Sequence, residues 1–258
     1  MILAIDIGNS NIVLGCIEGE EIGPIARLAS DPDKTEHEYA VTMRDVLSLT
    51  GTDLHELEGA IISSVVSSLT ETMRRAVELL TGKAPLVVGK GLKTGLDIRI
   101  DDPAQLGADL LVGAVAALHS YEPPFIIVDM GTATTLFAVD ASARFVGGVI
   151  LPGLRLSLNA LASGTSQLPH ISPDAPKKVI GTNTVACMQS GAIYGTAATI
   201  DGLIDRMEAE LGTPVQVIAT GGLVDRILPY CRREMHNEPL LLLKGLAVLW
   251  EKNRRNRS

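Results

Sequence analysis

ILAIDIGNSNIVLGCIEG, residues 2–19, decides the fold once it is set beside FIIVDMGTATTLFAVDA, residues 125–141. Each is an apolar strand that ends in Asp-x-Gly and a short polar run, then continues into a second apolar strand. Asp6, Gly8, Asn9, Ser10 and Asn11 line up without a gap with Asp129, Gly131, Thr132, Ala133 and Thr134. A repeat at half-chain spacing predicts two related lobes, each opened by one such hairpin, facing each other across a cleft. Two turns rich in glycine and hydroxyls, aimed at one cleft, suit the polyphosphate tail of ATP and its metal.

Outward from the two hairpins, the remaining pattern is α/β. A third strand is expected near 22–30, and 30–51 reads as a helix carrying Tyr39, Met43, Val46 and Leu47 on one face. GAIISSVVSS (59–68) is a short β-branched run, a buried strand leading into a helix at 70–82 that Gly82 closes. PLVVGK (85–90) reads as one more strand, and 101–121 as a long helix with Pro103 near its first turn, linking the lobes. The second lobe repeats the plan: hairpin 125–139, strand 145–153, helix 154–163, loop 165–184, helix 184–212, strand 214–222 and helix 240–253. Gly191, Gly195 and Gly202 suggest close helix packing. The lobes are expected to divide at 1–118 and 119–258.

With 258 residues, 46% of them hydrophobic but only three Phe and one Trp, the core must be built from Ile, Leu, Val and Ala. A net charge of −8 argues against nucleic acid as a partner, because neutralising phosphates supplies most of that affinity. The basic stretch KNRRNRS (252–258) reads as a solvated terminus. No apolar run reaches the ~18 residues of a membrane span. No basic leader precedes the first strand, and Cys16, Cys187 and Cys231 are odd in number and widely spaced. Both point to a reduced, cytoplasmic protein. The five His show no metal-ligand spacing.

Five constellations could carry chemistry. Gly8 lets a phosphate approach the backbone, Asn9, Ser10 and Asn11 supply donors, and Asp6 can hold Mg²⁺ directly or through water. In the second hairpin Thr132, Thr134 and Thr135 can donate to phosphate, and Asp129 can bind a cation. Either segment taken alone also fits a plain polar turn. Asp109, in GADLL (107–111), can orient an acceptor hydroxyl and take its proton, with Gly107 and Ala108 leaving room beside it. Its alternative role is to complement the positive end of a helix dipole. Gly221 and Gly222 in ATGG suit an adenine ring lying flat on backbone, or an ordinary strand-to-helix turn. GGVILPG (147–153) and IGTNT (180–184) are weak signals by themselves.

Taken together, DIGNSN, GAD, DMGTATT, GGVILPG, IGTNT, MQSGAIYG (188–195) and ATGG resemble the type III pantothenate kinase family. That family lies in the superfamily that joins acetate kinase, heat-shock ATPases and actin, and the resemblance runs in order from residue 1 to about 250. It implies a homodimer of chains with two ribonuclease H-like lobes. It implies transfer of the ATP γ-phosphate to the 4′-hydroxyl of pantothenate, opening coenzyme A synthesis, with Mg²⁺ and a monovalent cation, K⁺ or NH₄⁺. Carried over, Asp6, Ile7, Gly8, Asn9, Ser10, Asn11, Ile12 and Val13, with Gly131, Thr132 and Thr134, bind ATP. Asp109 becomes the proton acceptor, Asp129 the monovalent-cation ligand, and Gly107, Ala108, Leu110 and Thr184 pantothenate contacts beside it.

The chain departs from the family pattern on the acceptor side. Leu110 stands where the family usually has Arg, Ile100 where an aromatic is common, Phe137 in place of an acid, and Asn159 in place of another. Replacing Arg by Leu removes a fixed fork of donors suited to a carboxylate. Two other readings therefore accompany the first: a kinase for another small hydroxyl compound, and a non-catalytic, ATP-binding regulatory paralogue.

Overall fold

The computed structural model describes residues 1–254, so residues 255–258 of the basic stretch lie outside it. The chain forms two compact units. Unit 1 comprises Met1–Leu96, Asp102–Ser120 and the segment from Leu240 onward; unit 2 comprises Asp97–Asp101 and Tyr121–Pro239.

In unit 1, β1 (Ile2–Ile7), β2 (Asn11–Glu18) and β3 (Glu21–Ala29) form an antiparallel meander. After α1 (Glu36–Leu49), β4 (Gly59–Ser64) joins β1 in parallel, and after α2 (Ser67–Thr81), the two-residue β5 (Leu86–Val87) joins β4. The sheet order is β3-β2-β1-β4-β5. α1 begins at residue 36 rather than 30 because Thr35 and Glu38 close a capping box, each side chain accepting the other's backbone N–H. Gly82 ends α2 in the left-handed region, φ 66°.

Strand alternation then sorts the core. Leu3, Ile5, Ile7 and Ile62 pack on Tyr39, Met43 and Leu47 of α1 and on Leu69 and Met73 of α2. Ile2, Ala4 and Ile61 face the other way, onto α3 (Ala108–Ser120) and α7 (Leu241–Asn253) through Val112, Val115, Leu243, Leu246 and Trp250.

Between β5 and α3 the chain leaves for a short strand, β6 (Asp97–Ile98), that belongs to unit 2. The expected long helix over 101–121 is broken. Asp102 caps a 3₁₀ turn at Pro103–Gln105, Leu106 is extended, and α3 starts only at Ala108.

Unit 2 repeats the plan. β7 (Phe125–Met130), β8 (Ala133–Val139) and β9 (Arg144–Pro152) form the meander; β10 (Gln216–Thr220) and β11 (His236–Asn237) extend it in parallel beyond β7. Its order, β11-β10-β7-β8-β9-β6, is the unit 1 order with one added edge strand. Ile126, Val128, Met130, Leu136 and Val217 pack on α4 (Leu154–Gly164), α5 (Thr184–Leu211) and α6 (Val224–Ile227).

Two further expectations change. The units do not divide at 118/119, because α7 returns to unit 1 and packs beside α3 while 97–101 crosses to unit 2. A Cβ at Gly191 or Gly195 would meet no atom within 4 Å, so the side of each that a side chain would occupy is open among the described residues. A Cβ at Gly202 would meet only Arg206 of its own helix.

Candidate active site

Asp6 and Asp129 hold equivalent places, one residue before the end of the central strand of each sheet. In the first hairpin the register runs Ile7 to Ile12, and the Gly8 N–H donates to the Asn11 carbonyl at 3.0 Å. Ser30 ties the turn down: its Oγ donates to the Gly8 carbonyl and its N–H to the Ser10 carbonyl. Asn9, Ser10 and Asn11 are exposed at the tip.

The second hairpin is one residue shorter. Met130 pairs with Thr134, and the Gly131 N–H donates to the Ala133 carbonyl at 3.0 Å. The ungapped alignment therefore slips after the glycine: Asn11 corresponds to Ala133, and Thr134 to Ile12. Ile12 is buried in the α1–α2 core, and Thr134 is likewise buried, facing α4 and α5 with Met130. Thr132 stays exposed at the tip, whereas Thr134 is turned away from the face that carries Asp129.

On that face the sheet gathers hydroxyls. Thr135 is opposite Asp129 on β8, and Thr220 is opposite it on β10. The Thr135 Oγ1 is buried and has no hydrogen-bond partner among the described residues. Phe137, one step further along the same face, is buried with its ring 5.6 Å from that of Phe145, so an apolar pair occupies this place.

Two glycines hold this hairpin. Gly153, which ends the GGVILPG motif, donates its N–H to the Thr132 carbonyl at 3.1 Å; a Cβ there would sit 2.3 Å from that same oxygen. Gly221, at φ 102°, abuts Asp129: a Cβ would stand 2.5 Å from Asp129 Oδ1 and 2.6 Å from the Met130 nitrogen. The first glycine of ATGG thus braces the carboxylate, and the second, Gly222, is exposed. Neither bracing role could be read from spacing, because each depends on a strand end meeting a turn far away in sequence.

Asp109 lies in the first turn of α3, on the layer that covers the Asp6 face of the unit 1 sheet. Its Oδ1 accepts the Leu110 N–H at 2.8 Å, and the Gly107 Cα faces it so closely that a Cβ would fall 2.5 Å from that oxygen. Burial pushes the Asp109 carboxyl above the usual carboxylate range, outweighing the backbone donors that pull it down. Ala108 and Leu110 are half-buried around it.

In unit 2, Ile100 is half-buried near Gly147, and Thr184 is exposed at the first residue of α5, where the preceding Asn183 side chain caps the Ala186 N–H. No group of three or more His, Cys, Asp or Glu able to hold a metal occurs among the described residues. No helix of the described residues is long and apolar enough to cross a membrane.

Comparison with known proteins adds three findings. A profile of the type III pantothenate kinase family matches residues 2–206. The type III pantothenate kinase of Moorella thermoacetica is 42% identical over 98% of this chain and 100% of its own length. Among solved structures, the ethanolamine utilization protein EutJ of Carboxydothermus hydrogenoformans superposes with a TM-score of 0.54 over 96% of this chain and 89% of its own, at 16% identity. The last is a likeness of fold alone.

Proposed function

The chain belongs to the type III pantothenate kinase family, and from that premise we infer that it transfers the γ-phosphate of ATP to the 4′-hydroxyl of pantothenate, the opening step of coenzyme A synthesis. The observation that carries the chemistry is Asp109, a carboxylate at a helix start whose affinity for a proton is raised by burial. A carboxylate so placed can orient the acceptor hydroxyl and take its proton as that oxygen bonds to the γ-phosphorus. The bond from the γ-phosphorus to the β–γ bridging oxygen breaks, and ADP leaves with that oxygen.

In this reading Asp6, Gly8, Asn9, Ser10 and Asn11 of unit 1, between the flanking strand residues Ile7, Ile12 and Val13, engage the nucleotide phosphates. Unit 2 contributes Gly131 and Thr132, with Gly222 as the open end of the adenosine turn. The side chain of Thr134, facing α4 and α5, takes no part. Gly107, Ala108, Leu110 and Thr184 line the pantothenate side.

Asp6 fits Mg²⁺ as a single carboxylate, since that ion keeps its waters and takes phosphate oxygens rather than a protein cage. When bound, Mg²⁺ neutralises the phosphate charge. Asp129 fits a monovalent cation, K⁺ or NH₄⁺, because the buried Thr135 Oγ1 beside it is an oxygen with no other use among the described residues.

The same reading makes the protein a cytoplasmic homodimer, working where ATP is supplied. A groove of about 620 Å³ along α4 and α5 supports the dimer; Leu151, Leu158, Leu161 and Met188 line it beside the open Gly191 and Gly195. Leu156 and Leu161 are exposed on α4. A second copy would cover this face, and light scattering on Leu161→Lys tests it, with a monomer expected.

The deciding experiment is coupled ADP release with ATP, Mg²⁺ and K⁺ or NH₄⁺, with and without pantothenate, beside Asp109→Asn. Pantothenate-dependent turnover that vanishes in the variant supports the reading. ATP binding without turnover would favour the regulatory paralogue, and turnover on another hydroxyl compound the alternative acceptor.

A further inference from the structure

Ser63 is the C-terminal neighbour of Ile62 on β4, fully buried, and its Oγ has no hydrogen-bond partner among the described residues. The adjacent Ser64 is fully accounted for. Its hydroxyl exchanges hydrogen bonds with the Val66 backbone and accepts one from the Thr70 hydroxyl, fastening the start of α2. Ser63 has no such structural employment. A buried hydroxyl without a partner is destabilising, a cost that Ala at this position would avoid.

The register shows what stands next to it. β1 and β4 run parallel with Asp6 paired to Ser63, and neighbouring strands lie about 4.8 Å apart. Residues paired in this way point to one face, here the face covered by α3 and α7, as Ala4 and Ile61 do two pairs earlier. The Ser63 hydroxyl therefore stands beside the Asp6 side chain on the same face, within the span of one interstrand spacing. The arrangement is duplicated: in unit 2, β10 runs parallel to β7 with Thr220 paired to Asp129, and Thr220 too is buried.

We propose that Ser63 is a positioning residue whose hydroxyl donates to the Asp6 carboxylate in the nucleotide-bound state and holds it in the orientation that meets Mg²⁺. The proposal rests on the reading of Asp6 as the Mg²⁺ carboxylate. With the hydroxyl fixed in a dry layer, one carboxylate oxygen is held by the protein and the other is presented outward.

The test uses the full chain with Ser63→Ala, Ser63→Thr and Asp6→Asn. ATP binding is followed by titration calorimetry across a range of Mg²⁺ concentrations, and Tm is measured without ligand. Ser63→Ala is expected to keep or raise the ligand-free Tm, since no hydrogen bond is lost. Its half-saturating Mg²⁺ should rise about tenfold, the worth of a hydrogen bond to a charged group, and Ser63→Thr should restore it. A Ser63→Ala protein with a lowered ligand-free Tm and an unmoved Mg²⁺ midpoint would overturn the proposal in favour of a purely structural hydroxyl. Asp6→Asn separates the two levels of failure. If it leaves the Mg²⁺ midpoint unmoved, the assignment of the ion to Asp6 falls and the role of Ser63 with it. If it moves the midpoint while Ser63→Ala does not, only the role of Ser63 falls.

Discussion

Gly221 lies against the carboxylate of Asp129, with no room between them for a methyl group: a Cβ at 221 would stand 2.5 Å from Asp129 Oδ1. The contact joins the end of β10 to the end of β7, so the position of the carboxylate is set by the backbone of the neighbouring strand.

Gly221→Ala is accordingly expected to do two things. The left-handed backbone, φ 102°, costs about 1–3 kcal/mol with a side chain, and the methyl group displaces Asp129. Thermal unfolding should show a lowered Tm. Activity titrated with K⁺ should need more cation to reach half its maximum, whereas Gly222→Ala, at an exposed position, should leave that midpoint alone.

Asp109→Asn should abolish turnover and stabilise the protein at any pH above the raised value of the carboxyl. The carboxyl is raised in the folded state, so between its ordinary value and the raised one the folded chain holds more protons than the unfolded chain. Stability therefore falls as pH rises through that window, and the wild type carries the cost of a buried charge above it. The Tm advantage of Asp109→Asn should be full above the raised value, shrink as pH drops through the window and be gone below the ordinary carboxylate value. Wild-type kcat should fall as the pH drops through the raised value and protonates the base; Tm and rate against pH check both.

Gly153→Ala should weaken ATP binding from a distance. The new methyl group meets the carbonyls of Thr132 and Gly131, at 2.3 and 2.5 Å, and drives the turn away from α4. The KM for ATP should rise at least fivefold by the logic of a misplaced contact group, with the pantothenate KM less affected. Steady-state kinetics with each substrate varied in turn reads the difference.

Leu110→Arg tests the acceptor side. Leu110 is half-buried in the first α3 turn next to Asp109, where a guanidinium could meet the pantothenate carboxylate. The pantothenate KM should fall about tenfold, the scale of a charge-assisted hydrogen bond, with the ATP KM unchanged. An unchanged pantothenate KM would show that this chain holds the carboxylate elsewhere.

Much of this was legible in the sequence because it is local. Alternating apolar residues ending in Asp-x-Gly gave both hairpins, and Gly82 closed its helix where expected. The family, too, could be recognised from ordered motifs, and the Leu110 departure was visible. What escaped depends on contacts distant in sequence. Two-residue strands such as β6 and β11 carry no period to detect. The break before α3 comes from one Asp102 cap inside an otherwise helical composition. An ungapped comparison could not show that one hairpin is a residue shorter, and so it placed Thr134 beside the wrong neighbour. Ser63 sits in an apolar, serine-rich run, and only the register with Asp6 distinguishes it from Ser64.

The return of α7 to unit 1 bears on how the chain is made. The strands that α7 covers are complete by Ser64, yet the helix begins only at Leu241. During translation, all of unit 2 emerges from the ribosome while one side of the first sheet still lacks part of its cover. Unit 2, closed by β11 at Asn237, can fold ahead of the unit whose synthesis started first. A nascent chain stalled short of residue 241 would leave Ile2, Ala4 and Ile61 without α7, a natural target for chaperones and proteases, although both hairpins were already made.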